Sequence, residues 1–507
     1  MSKGQTMNNY MGVDIGTSGC KAVVVDENGG QLAVSHREYD IISPKPGWAE
    51  LNPDEVMEKC FEVIAEAASK VQPHSVVGLG ISSQGEAFTA VDTNGKTLCN
   101  ALVSSDIRAA DYSLNWSKEF GEEKLYKITG HTAHPMFSLF KLLWLRDNHP
   151  EIWSKAERFL CFEDLLEFRL GLEPAMGWPL AGRTMLFDVV SHQWNEEILD
   201  AVGIKPKQLA RPLQSGSVAG NVEPGTAEEL GLAKDTFVVT GGHDQPCSAL
   251  GAGVTEPGVA VYATGTVDCI TPAFEGAVFT QSLRKNNLCT YDHTVGGMYT
   301  TVAFSLTGGN ILKWFRDEFG TAEVAEAEKL GRHPYEIILE EVPDRPSGLM
   351  VLPYFTPTGT PYFDTSAAGA ILGLTLSTKR GDFIRALLEG VAFEMRLNLD
   401  ILEQSGCKVD ELRAIGGGAR SDIWNQLKAD VIGKKITILN ITEAGCFGTA
   451  MLAKAADTGE SLVEIANDWI KPTGVKRPNT DFKEIYDKKY ESYKKLYPTL
   501  RDFFGRT

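Results

Sequence analysis

Apolar residues come first in short blocks, with the rhythm of strands before that of helices. Met11-Gly12-Val13 leads into Asp14-Ile15-Gly16-Thr17-Ser18-Gly19-Cys20-Lys21. Ala22-Val23-Val24-Val25 follows, and Asp26-Glu27-Asn28-Gly29 is a turn signal. The pattern predicts two antiparallel strands joined by a tight turn, with a third strand over residues 31–39. Apolar residues at Val56, Phe61, Val63, Ile64 and Ala67 predict a helix over 53–69. Residues 75–82 read as a buried strand ending in the polar Ser83-Gln84-Gly85-Glu86, and 88–91 as another strand. A strand meander followed by helix and strand predicts a mixed sheet.

Helical spacing returns at 137–146 and 163–170. The strand 237–240 runs into Gly241-Gly242-His243-Asp244-Gln245-Pro246, and small residues then suggest a close-packed helix start. At Gly258 the opening design recurs. A strand over 259–262 meets the turn Ala263-Thr264-Gly265-Thr266, and a second strand covers 267–271. Further on, 304–319 reads as a helix carrying Gly308-Gly309, and 382–402 as a long helix. The strand 412–415 ends in Gly416-Gly417-Gly418-Ala419-Arg420-Ser421, and helices follow over 422–431 and 448–456. Phe482, Tyr486, Tyr490, Tyr493 and Tyr497 share one helical face near the end, which reads as a docking stripe.

Length changes this picture first, because 507 residues are enough for at least two cored domains. The net charge of −18 argues against nucleic acid or an anionic membrane as the main partner, since both favour a basic face. It leaves room for a phosphate ligand held by backbone amides and a lysine or two. The nine cysteines include no C-x-x-C pair and are read as reduced thiols. No apolar run approaches a membrane span. A soluble cytoplasmic protein is expected.

Each candidate for chemistry has a plain structural alternative. The glycines of Asp14–Lys21 allow positive φ. Thr17, Ser18 and the turn amides can cradle a phosphate, with Lys21 as a point charge and Asp14 on a hydrated Mg²⁺; equally, the segment is an empty hairpin turn. Asp244 ends a buried strand beside two glycines, where it serves either as a general base or as a helix cap. Gln84 and Glu86 suit sugar hydroxyls or are ordinary loop polarity. Gly416 to Ala419 suits a planar ring or is a helix entry. The second Gly-Thr turn at Gly265-Thr266 changes the balance, because two such hairpins facing one another would clamp a triphosphate. P-loop, dinucleotide and G-x-S-x-G patterns are absent.

Taken in order, these residues resemble the FGGY carbohydrate kinases of the actin-like ATPase superfamily. Asp14-x-Gly16-Thr17…Lys21, Gly242-His243-Asp244-Gln245 and Gly265-Thr266 resemble the family's first phosphate, catalytic and second phosphate motifs. Gly373-Leu374 through Gly390 and Gly416 to Ser421 resemble its later signatures. The resemblance implies an α/β fold of two actin-like (ribonuclease H-like) domains, each with a mixed five-stranded sheet flanked by helices, and an active site in the interdomain cleft. The expected domains are 1–250 and 251–507, with a C-terminal helix over 480–507. ATP and Mg²⁺ are the implied cofactors and a homodimer is an implied assembly. Asp244 is the implied base, and Asp14 and Asp244 the implied metal residues. Nucleotide contacts are implied at Gly16, Thr17, Ser18, Lys21, Gly265, Thr266, Gly308, Gly309, Gly417, Gly418 and Ala419. Acceptor contacts are implied at Gln84, Glu86, Asp106, Asp244 and Gln245.

The glycerol-kinase arginine is missing where Gly85 stands, and Met136 replaces a tyrosine, which argues against glycerol. The runs Ser82 to Gly85, Ser104 to Ala109 and Gly445 to Gly448 are nearest the xylulose and L-xylulose kinase types. A neutral ketopentose or short polyol is the expected acceptor, and Glu86 is expected to disfavour a sugar acid. The alternative is an ATP-switched binding or regulatory protein of the same fold that phosphorylates no sugar.

Overall fold

The computed structural model describes residues 8–504. Asn9–Ile15 and Gly19–Val25 form the predicted antiparallel hairpin, in register from Tyr10↔Val25 to Ile15↔Cys20. Gln31–Glu38 continues the meander. On its other side Asn9–Ile15 pairs in parallel with Val76–Ser83, which pairs in parallel with Phe237–His243. Val218–Asn221 adds an antiparallel edge.

The second sheet repeats this plan. Gly258–Thr264 and Asp268–Glu275 form a hairpin, and Gly258–Thr264 pairs in parallel with Val409–Ile415, which pairs in parallel with Lys435–Leu439. Both mixed sheets carry helices, so the two-layered α/β units expected from the pattern are present. Each sheet is wider than the five strands expected, with six in the first and eight in the second. The additions are edge strands as short as Tyr291–Asp292 and Met298–Thr300, too brief to leave an alternating signature.

Pro53–Ser69 forms the helix its spacing predicts. Asn52 caps it by accepting from the Asp54 and Glu55 amides, and Val56, Met57, Cys60, Val63, Ile64 and Ala67 are buried against the first sheet. Each large apolar side chain buried there contributes roughly 1.5–3 kcal/mol. The 304–319 expectation is corrected. Ala303–Ser305 is an edge strand and the helix is Asn310–Phe319. The break lies where Gly308 packs on the second hairpin, so closely that a Cβ on it would fall 2.5 Å from the Val267 carbonyl carbon. The tyrosine stripe docks as expected. Tyr486, Tyr490, Tyr493 and Tyr497 of the helix Thr480–Leu500 are buried, three of them around the ring of Phe393.

Helix Ala444–Thr458 lies in sequence between two strands of the second sheet, Lys435–Leu439 and Pro472–Lys476, but packs across the first. Glycine makes this possible. A Cβ on Gly12 would come 1.7 Å from the Cys446 carbonyl oxygen, and one on Gly80 would come 2.3 Å from that of Thr449. The same helix packs on Asp244–Gly251, where Gly448 meets the Cys247 carbonyl oxygen and Gly251 that of Ala444. Gly80 thus has a packing reason.

Candidate active site

The three parallel strands of the first sheet end at one level. Asp14 and Gly242 both lie opposite Ser82, two strand spacings or about 10 Å apart. The Gly16–Gly19 turn projects from this edge, closed by the Gly16 amide donating to the Gly19 carbonyl at 2.9 Å. Tyr39 Oη and Gln84 Nε2 both donate to the Gly16 carbonyl, at 2.7 and 2.9 Å, and Thr17 Oγ1 donates to Gln84 Oε1 at 3.2 Å. Ser18 is exposed at the tip. Lys21 Nζ lies 2.6 Å from Glu443, at the entry to helix Ala444–Thr458. Asp14 accepts from Ser82 Oγ at 2.5 Å. Burial pushes its carboxyl above the usual range, against the Ser82 hydroxyl and the Lys21 charge.

Asp244 is the first residue of its helix, with His243 as the cap, so the acid is not itself the cap. Before it the strand bulges at Gly241-Gly242, and Gly242 has φ +119°. Glu163, wholly buried, holds this bulge. One carboxylate oxygen accepts from the Gly241 amide at 2.8 Å and the other from the Gly177 amide at 3.1 Å. Asp244 Oδ1 is buried and accepts no hydrogen bond among the described residues, although His243 Nε2 lies 3.2 Å from it outside hydrogen-bond geometry. Burial, followed by the negative charges of Asp14 and Glu86, pushes its carboxyl up to about 7. Gln245 hydrogen-bonds the same carboxyl and lowers it in part. His243 is held neutral by burial and by the Arg183 charge, and its Nδ1 pairs with Tyr291 Oη at 2.9 Å.

Glu86 lies beside Asp244, buried and with φ +63°. Its Oε1 takes the guanidinium of Arg183 and its Oε2 the hydroxyl of Ser104 at 2.5 Å. Gln84 turns toward the first hairpin, where it pins the Gly16–Thr17 turn. Asp106 is fully buried and committed to Arg108 and to the Ala49 amide at 2.7 Å. Both groups are hydrogen-bonded within the protein here, Gln84 at the Gly16–Thr17 turn and Asp106 at Arg108 and Ala49, where they brace the loops.

Across the molecule the nucleotide-side candidates gather at the end of Gly258–Thr264. Gly265 and Thr266 are exposed at the hairpin tip. The Gly309 amide donates to Gly265 O at 2.9 Å and the Asn310 amide to Thr266 O at 3.2 Å. Gly416 and Gly418 press on Thr264, while a Cβ on Gly417 would meet open space. Ala419 is buried and gives its carbonyl to Asn425 Nδ2 at 2.7 Å, so it supports the turn and offers little surface. Beneath them Lys428 is buried with its ammonium on Thr264 Oγ1 and 4.2 Å above the ring of Tyr262. Burial pulls it down to about 8, against the nearby charge of Asp268.

Family comparison decides what this arrangement is. Residues 9–251 match the N-terminal domain and residues 262–456 the C-terminal domain of the FGGY family of carbohydrate kinases. The chain belongs to the FGGY family of carbohydrate kinases. It is similar to the xylulose kinase of Bacillus subtilis (strain 168), with 28% identity over 500 residues and 98% of each chain covered. It is equally similar to the gluconokinase of Bacillus licheniformis, with 28% identity over 494 residues, covering 95% of this chain and 94% of that one. The crystal structure of xylulose kinase from Rhodospirillum rubrum superposes with a TM-score of 0.88 at 26% identity, covering 98% of this chain and all of that one.

This FGGY kinase is therefore a sugar-phosphorylating enzyme, and kinases of the family use ATP as the phosphate donor. No helix among the described residues is long and apolar enough to cross a membrane. Asp14 and Asp244 fit a Mg²⁺ held mostly by water and phosphate oxygens. Such sites need only one or two carboxylates, and Asp244 Oδ1 is buried and accepts no hydrogen bond among the described residues. Arg183, Glu163 and Lys428 were missed by sequence reasoning. Arg183 lies 97 residues from its partner Glu86, on the six-residue helix Trp178–Arg183, and carries no motif of its own.

Proposed function

We propose that this kinase transfers the γ-phosphate of ATP to a hydroxyl of a neutral sugar or polyol, with a ketopentose such as xylulose as the acceptor. The observation that carries the reading is Asp244 Oδ1. It is a buried carboxylate oxygen at a strand end that accepts no hydrogen bond among the described residues, with only His243 Nε2 facing it at 3.2 Å, beside the Glu86–Arg183 pair and on the same sheet edge as the first phosphate hairpin.

In this reading Asp244 accepts the proton of the attacking hydroxyl. A carboxyl near 7 suits this at neutral pH, where base strength and ionised fraction are balanced. Thr17, Ser18 and Lys21 hold phosphate oxygens from one side, and Gly265 and Thr266 from the other. Gly308 and Gly309 support the second hairpin from behind, and Gly417 and Gly418 face the base. Bound at Asp14 and Asp244, Mg²⁺ would neutralise phosphate charge. Lys21 leaves Glu443 for phosphate as the domains 1–250 and 251–507 close, and closure excludes water. The glycine contacts between Ala444–Thr458 and the first sheet form the pivot. The enzyme works in the cytoplasm.

Arg183 revises one part of the acceptor argument. Glu86 was expected to repel a sugar acid, but its charge is cancelled by Arg183, so the acid must be tested directly. The assay is ADP release across ketopentoses, polyols and aldonates, with the mass of the product determined. A phosphorylated neutral acceptor, with activity lost in Asp244→Ala, is the expected result. ADP release that no acceptor stimulates would favour the ATP-switched binding protein.

A further inference from the structure

The Glu86–Arg183 pair has more donors than the protein uses. Arg183 is 8% exposed, and its Nε and one terminal nitrogen face Glu86 Oε1. Its remaining N–H groups have no partner among the described residues. No nitrogen of Arg183 is among the buried atoms left without a partner, so this unpaired edge is open to solvent and free to donate to a ligand that displaces water. The plane is fixed, with the guanidinium carbon 4.9 Å from the ring centre of Phe137 and 5.7 Å from that of Tyr291. Glu86 is fixed as well, by the Ser104 hydroxyl and by Ser138 Oγ donating to its backbone carbonyl at 2.9 Å.

Gly85 allows close packing here. A Cβ there would stand 3.0 Å from His243 Cδ2 and 3.3 Å from Arg183 Nε, so a side chain at this position would push the arginine from its place on Glu86. His243 Nε2, 3.2 Å from Asp244 Oδ1, links the pair to Asp244. A guanidinium edge next to a carboxylate offers N–H donors and an oxygen acceptor side by side with no net charge. Two adjacent hydroxyls match that pattern, since each can accept from one group and donate to the other. A carboxylate ligand would find the arginine already neutralised by Glu86, so the pair offers it no net attraction.

We propose that Arg183 is an acceptor-binding, specificity-determining residue that, together with Glu86, recognises a vicinal diol of a neutral polyhydroxy acceptor. The proposal rests on the kinase reading above and names a residue that reads its substrate. Gly85 and the aromatic faces of Phe137 and Tyr291 set the position of the guanidinium.

The test uses the best acceptor from the panel and its monodeoxy analogues. Wild type, Arg183→Lys and Arg183→Met are compared by kcat and KM for acceptor and for ATP. Loss of the charge-assisted fork raises the acceptor KM about 10- to 100-fold and moves the ATP KM little. Wild type discriminates against the analogue lacking a hydroxyl of the diol, and both variants lose that discrimination. Arg183→Met strands a buried carboxylate. If it fails to fold, Arg183→Lys and the double variant Arg183→Met, Glu86→Gln carry the same comparison. Unchanged acceptor KM and unchanged deoxy penalties in folded variants overturn the proposal while leaving the kinase reading standing. A sugar acid as best acceptor, lost in Arg183→Met, overturns the diol assignment. A wild-type enzyme inactive on the whole panel overturns the acceptor reading itself, and with it this proposal.

Discussion

Asp244→Asn separates activity from stability in opposite directions. The Asp244 carboxyl ordinarily ionises at 3.8 and is pushed up to about 7 here, by burial first and then by Asp14 and Glu86. The folded protein therefore holds this proton more tightly than the unfolded chain. Below pH 3.8 the group costs nothing. Between 3.8 and about 7 its ionisation progressively destabilises the fold, and above that the penalty is complete. At about 1.4 kcal/mol per pH unit, the full displacement is worth about 4 kcal/mol. The side chain is 27% exposed and stands at a helix N-terminus, and both reduce the penalty, to about 1–3 kcal/mol. The amide of Asn cannot ionise, so Asp244→Asn is more stable than wild type by that amount at pH 8 and equal to it near pH 4. Its kcat falls by a factor on the order of 10²–10⁴ or more through loss of the base. Denaturant unfolding of both proteins from pH 4 to 9, beside sugar-dependent ADP release, measures this. A stability difference flat in pH, or a variant less stable at pH 8, would refute the account of how Asp244 is tuned.

Two further outcomes follow from the hairpin and the pivot. Lys21→Ala raises the ATP KM or slows transfer while leaving the order of acceptor preference intact; steady-state kinetics over the panel would expose a changed order, which would contradict the separation of phosphate and acceptor sites. Gly12→Ala drives a methyl to within 1.7 Å of the Cys446 carbonyl oxygen, so helix Ala444–Thr458 must retreat by about 1.5 Å. A cost of about 1–3 kcal/mol or more and a loss of activity are expected; thermal unfolding unchanged from wild type would mean the helix does not bear on the sheet as described.

Much of the fold was legible because its signals are local. Hydrophobic spacing found the helix Pro53–Ser69, the strands that flank both hairpins and the tyrosine stripe, since periodicity depends only on which face of an element is buried. The Gly-Thr turns and Asp244 were legible for a similar reason. A glycine-containing turn between two strands and an acid ending a buried strand are marked by residue type within a few positions, although Gly16, Gly19 and Gly265 do not adopt the positive φ expected of them; Gly19 serves close approach instead, since a Cβ on it would fall 2.6 Å from the Arg37 carbonyl oxygen. The order of these segments along the chain was enough to place it in its family.

What the chain determined by itself is thus most of the long elements, the two hairpins and the placing of Asp244 at a buried strand end. Tertiary structure decided what each polar group is for. Gln84 and Glu86 are two residues apart at one strand end, yet one pins the phosphate turn and the other pairs with Arg183. Asp106 pairs with Arg108, while Glu163, in a helix the sequence marked only by its spacing, holds the bulge beneath Asp244. Periodicity assigns a side chain to a face, but the partner across that face comes from another element, often a hundred residues away. Burial then decides whether the group must be paired, neutralised or left to meet a ligand.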